Sequence, residues 1–170
     1  MSGSDIGTAD RTPDLGRVLA SELPITQHLG IAVARADADV VELALPLAPN
    51  RNHQGTMFAG SLNAVATLAG WAVVWLEVAR AGLAAGIVIQ DSTIDYLRPV
   101  TGDCLARCEP PLPAAREQFL AALARHRRAR LALTVAITVG ERPAARFHGR
   151  FVALARAGGT GRSTPDQGSR

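Results

Sequence analysis

Residues 57–76 contain no charged side chain, and Glu77 is the first to break the run. Apolar and small residues recur at every angle of a helical wheel, so a helix here has no face for water. Such a helix is either wrapped by protein or immersed in lipid. Ser61, Asn63 and Thr67 dilute the run, as do its glycines and alanines, and the chain that follows reads as soluble β-sheet. The pattern therefore predicts a buried central helix ending near residue 79 rather than a membrane span. Ahead of it, Asn52 and Gly55-Thr56 read as a loop turning sharply into the helix, and Gly60 and Ser61 keep its first turn small. Unpaired N–H groups at such a start favour developing negative charge, and small residues let another group approach the backbone.

The remaining elements fall on either side of this helix. Residues 1–12 read as a flexible leader. Thr12 as N-cap and Pro13 at the first helical position open a short helix running to Glu22. Residues 31–34 and 40–45 form a hairpin around the turn Asp37-Ala38-Asp39. After the central helix, 87–97 reads as a long strand whose two faces differ. One face carries Ile87, Ile89, Asp91, Thr93 and Asp95; the other carries Val88, Gln90, Ser92, Ile94 and Tyr96. Strands at 104–109, 131–139 and 145–155 follow, with a helix over 114–126 between the first two and a disordered tail from 158 to 170. An antiparallel sheet wrapped round one long helix satisfies this order, giving a single α+β domain over 13–157.

Composition changes little. All 18 basic residues are arginine, against 15 acidic ones, and the pI is near 9.6. No aromatic-interleaved basic run accompanies them, so nucleic acid is not an expected partner. Cys104 and Cys108 share a strand face about 13 Å apart, too far for a mutual disulfide. His53 has no companion at metal-ligand spacing. The polar first ten residues lack an apolar secretory core, and a reducing cytoplasm is the expected location.

The helix entrance resembles that of hotdog-fold acyl thioesterases, in which a curved antiparallel sheet wraps one long helix. It is most similar to the thioesterase family typified by the YiiD C-terminal domain. The matching segments are Asn52-His53-Gln54-Gly55-Thr56-Met57-Phe58-Ala59-Gly60-Ser61-Leu62, Ala69-Gly70-Trp71, Ile89-Gln90-Asp91-Ser92 and Tyr96-Leu97-Arg98-Pro99-Val100. The likeness covers about residues 25–155. It implies a hydrolase of acyl-CoA or acyl-carrier-protein thioesters, at least dimeric (a homodimer or dimer of dimers), with the site between subunits. No cofactor is implied beyond the coenzyme A or phosphopantetheine of the substrate itself.

Thioester hydrolysis needs an oxyanion site, an oriented water and a proton acceptor. The N–H groups of Ala59 and Gly60 can supply the first. Asn52 either holds the water or carbonyl, or bonds its own loop. Phenylacetate-type hotdog enzymes read His-Gly-Gly where this chain has Phe58-Ala59-Gly60, and carry a helix aspartate where it has Thr67. Threonine is no general base near neutral pH, which leaves Asp91 as the candidate carboxylate, an aspartate in an otherwise apolar strand. Its alternative is a solvent-facing position beside Thr93 and Asp95. Phe58, Ser61 and Thr67 are candidate substrate contacts. Arg98, and less so the cluster at 125–130, could meet a coenzyme A phosphate. Dehydration or cyclisation of a carrier-tethered acyl chain, or acyl-CoA binding without turnover, are the rival readings.

Overall fold

The computed structural model describes residues 14–156, so the expected leader and tail, and the Thr12 cap, lie outside it. Helix α1 (Leu15–Glu22) is capped by Asp14, whose carboxylate accepts the Arg17 N–H at 3.1 Å. This is the N-cap geometry that satisfies an otherwise orphaned first-turn donor. A single-turn helix, α2 (Ile25–His28), occupies residues expected as irregular chain. Strands β1 (Ala32–Ala36) and β2 (Val41–Leu45) form the hairpin, whose turn is braced by Asp37 accepting from the Asp39 and Val40 N–H groups.

Helix α3 (Ala59–Arg80) is the centre of the fold. By length and composition it could cross a membrane, yet 67% of its most apolar window is buried within the protein. The sheet curls round it in the order β1-β2-β4-β5-β6-β3, every pairing antiparallel, with β3 (Ala85–Tyr96), β4 (Cys104–Cys108), β5 (Arg128–Val139) and β6 (Arg142–Ala155). This is the α+β hotdog arrangement. Leu131, Leu133, Val135 and Ile137 of β5 and Phe147, Gly149 and Phe151 of β6 lie on the buried face toward α3, while the alternate residues are exposed. Helix and sheet approach closely at Gly70, where an added Cβ would stand 2.5 Å from the Phe151 ring. Helix α4 (Pro113–His126) packs on β5 and β6 and is tied to the C-terminal end of α3.

The strand β3 departs from its expected alternation. A bulge between Ile89 and Asp91 makes Ile89 pair with Phe151 and Asp91 with Arg150. An extra residue in one strand shifts every later side chain to the opposite face. Ile87 and Ile89 therefore share the inner face with Ser92, Ile94 and Tyr96, and Asp91, Thr93 and Asp95 join Val88 on the outer face. Cys104 and Cys108 are buried, and burial pushes their thiols up to about 11 and about 12, so neither ionises near neutral pH.

Candidate active site

The loop before α3 is held by its own side chains. Asn52 Oδ1 accepts from the Gln54 and Thr56 N–H groups at 2.9 and 3.1 Å. Its Nδ2 donates to Thr56 Oγ1 at 2.9 Å and to the Met57 carbonyl at 3.4 Å. Both lone pairs and both protons of the amide are thus used inside the loop. Gly55 supplies the turn, at φ +80°. Beneath it, buried Asn50 donates to the Leu29 and Pro46 carbonyls, and its own backbone carbonyl accepts the Phe58 N–H at 2.7 Å. The Met57 N–H reaches the Val100 carbonyl at 2.8 Å, joining the loop to the chain after β3.

These bonds deliver Phe58 as the N-cap of α3, without any side-chain cap. The Phe58 carbonyl accepts from Ser61 and Leu62, whereas the N–H groups of Ala59 and Gly60 have no partner among the described residues. Two aligned donors at the positive end of a 22-residue helix are therefore available to an anion. The Phe58 ring, itself 56% exposed, folds back over Gly60, where a Cβ would lie 2.3 Å from it. Ser61 is buried and Thr67 half-buried two turns along. Tyr96 was not foreseen as a site residue. Its hydroxyl donates to the Ala59 carbonyl at 3.1 Å and pins the end of β3 to the start of α3. A groove of about 450 Å³ opens here, walled by Met57, Ala59, Leu62, Tyr96 and Leu97, with Arg98 at its rim.

Asp91 is not brought to this groove within one protomer. It accepts from Arg150 Nε and Nη2 at 2.9 and 2.6 Å on the outer face, with both side chains about half exposed (51% and 50%). His53 is exposed, and no group of three potential metal ligands occurs among the described residues. The arginine-rich turn after α4 is exposed, with Arg127 in a left-handed C-cap at φ 58°.

The same architecture recurs in solved structures. A protein of unknown function from Chlorobaculum tepidum is 29% identical with a TM-score of 0.79, over 84% of this chain and 93% of that one. A structure named "the putative thioesterase from Shewanella oneidensis" is 32% identical with a TM-score of 0.75, over 82% of this chain and 94% of that one. A "probable thioesterase" from Pseudomonas aeruginosa, at 22% identity and a TM-score of 0.71 over 84% and 94%, shares the fold. The family described as "Putative thioesterase (yiiD_Cterm)" matches residues 12–155, and the chain belongs to it.

Proposed function

We propose that this protein hydrolyses acyl-CoA or acyl-carrier-protein thioesters in the cytoplasm, with the oxyanion held at the N-terminus of α3. The observation that carries the reading is the pair of unpartnered N–H groups at Ala59 and Gly60 beside the groove. A thioester carbonyl set against them gains negative charge when water adds to its carbon. Collapse of the tetrahedral adduct then breaks the C–S bond, releasing the thiol and a carboxylic acid. Asn52 is a positioning residue in this scheme, since its amide is consumed in shaping the loop that sets the first turn of α3. Arg98 at the rim suits a phosphate of the carrier. Asp91 serves an ion pair on the outer face.

The test is thiol release from a panel of acyl-CoAs and acyl carrier proteins. Wild type is expected to turn over. Asn52→Ala is expected to lose about 10- to 100-fold in kcat through misplaced donors. Asp91→Asn is expected to stay within about twofold, as for a surface substitution. A large loss with Asp91→Asn would restore it as the base. One observation favours a second reading, binding without turnover: the groove lining holds no carboxylate or imidazole among the described residues. Tight binding of acyl-CoA with no thiol release would move the assignment there.

The assembly we propose is a homodimer, or a dimer of such dimers, joined along β3. That strand is a 12-residue sheet edge with Val88 and Ile89 52% and 37% exposed, a template for pairing with a second copy. Light scattering on the eluting peak is expected to give at least twice the chain mass of 17.8 kDa. A peak at the monomer mass would remove the shared site.

A further inference from the structure

Tyr96 is the only tyrosine in the chain, and its hydroxyl donates to the Ala59 carbonyl at 3.1 Å. That carbonyl belongs to the same peptide unit as the Gly60 N–H, one of the two donors at the start of α3 without a partner among the described residues. Carbonyl and N–H are opposite ends of one resonance-coupled plane. A donor placed on the oxygen draws electron density along that plane from the nitrogen. The N–H at the far end then becomes a stronger donor itself. The helix uses one lone pair of the Ala59 oxygen, for the N–H four residues on, and the phenol takes the second.

The path of β3 delivers the hydroxyl to this atom. The bulge between Ile89 and Asp91 turns the later side chains over, so Tyr96 comes to the inner face and reaches α3. Without the extra residue the same alternation would send its ring outward with Val88. Tyr96 pairs with Ala145, and the Leu97 and Arg98 N–H groups reach the Ala144 carbonyl at 2.9 and 3.3 Å, so the strand end is fixed. The first turn of α3 is already placed by backbone bonds, from Met57 to the Val100 carbonyl at 2.8 Å and from Phe58 to the Asn50 carbonyl at 2.7 Å. The Tyr96 ring is 49% exposed and lines the groove, so it adds little to the core. What the hydroxyl adds to this frame is charge displacement rather than position.

We propose that Tyr96 is a positioning residue that acts through the Ala59–Gly60 peptide, strengthening the Gly60 N–H as an oxyanion donor. The inference rests on the thioester oxygen meeting Ala59 and Gly60. Negative charge on that oxygen grows as water adds to the carbonyl carbon. A stronger donor therefore favours the adduct more than the bound thioester, and its effect falls on kcat rather than on KM. Substrate filling the groove keeps water off the phenol, and the bond polarises its neighbour more strongly there.

Because the chain has no other tyrosine, growth on fluorinated tyrosines changes position 96 alone. Each ring fluorine acidifies the phenol and makes it a better donor while adding little volume. The experiment compares wild type, Tyr96→Phe and protein carrying one or two ring fluorines at position 96, at a pH where every phenol keeps its proton. It reads kcat and KM for thiol release from an acyl-CoA, and the amide nitrogen resonance of Gly60. Tyr96→Phe is expected to lower kcat about 3- to 10-fold, with KM within about twofold, and to move the Gly60 resonance. Fluorination is expected to raise kcat stepwise and to move the resonance the opposite way.

A loss in Tyr96→Phe with no trend across the fluorinated series makes the hydroxyl a structural pin and overturns the proposal. A Gly60 resonance that ignores the phenol overturns it too. Unchanged kcat across the series overturns it and leaves the thioesterase reading intact. If Tyr96→Phe misfolds, the fluorinated series decides. No thiol release from any of these proteins, with a resonance that still follows the series, removes hydrolysis and keeps the strengthened donor.

Discussion

Ala59→Pro is expected to lower kcat by about 10²- to 10³-fold while leaving the melting temperature nearly unchanged. Proline removes one backbone N–H and little else at this position. Ala59 is the first residue of α3, where that N–H has no acceptor within the helix and where the fixed φ of proline suits the fold. The preceding residue must be extended to accept a following proline, and Phe58 already is, at φ −65° and ψ 131°. The Ala59 carbonyl, which accepts from Tyr96, is retained. The substitution therefore deletes one of two proposed oxyanion donors on an unaltered scaffold. Thiol release measured with circular dichroism and thermal melting separates the outcomes. Loss of turnover with an intact melt supports the oxyanion site at the helix start. Full turnover with an intact melt sinks it, because no other change to the backbone donors has been made.

How much of this was legible in the sequence depends on the range of the forces involved. The all-round apolar run of α3 names the element that the sheet must wrap, because a helix with no polar face can exist only inside something. The loop from Asn52 to Gly60 was legible as an entrance because its turn chemistry is local. Which partner Asn52 chooses is also local, and here its own loop wins all four of its hydrogen bonds. The face of Asp91 was not legible. A period of two is read on the assumption of regular pairing, and one bulge at Gln90 sends Asp91, Thr93 and Asp95 to the other side from Ile87 and Ile89. The Asp14 cap was displaced only by two residues from the Thr12 expected. Tyr96 carried no such signal, since a half-exposed hydroxyl can be satisfied by water and its bond to the Ala59 carbonyl spans 37 residues. The pairing of Glu77 with Arg116 spans 39 residues and leaves no local pattern.

That pair carries the largest expected effect on stability. Arg116→Ala is expected to cost about 3 kcal/mol, the low end of what breaking a buried ion pair costs. Glu77 lies near the C-terminal end of α3 with its side chain only 3% exposed, a position where both burial and the helix dipole disfavour a negative charge. Arg116 on α4 answers it. Nη2 donates to Oε1 at 3.1 Å, and Nε lies 2.7 Å from Oε2, close enough for charge attraction but off the direction of a hydrogen bond. Arg80 stands further away, at 3.9 Å. Removing Arg116 leaves a buried carboxylate with only that distant partner and loosens the tie between α4 and α3. The low end applies because Arg116 is itself 38% exposed and Arg80 remains. For a chain of this size the loss corresponds to a melting temperature lower by about 6–12 °C. Glu77→Gln in the Arg116→Ala background should recover part of it, because the neutral amide ends the uncompensated charge, and a double-mutant cycle reads the coupling directly. If Arg116→Ala melts with wild type, the carboxylate is solvated in solution and α4 is held by Phe119 and Leu123 alone.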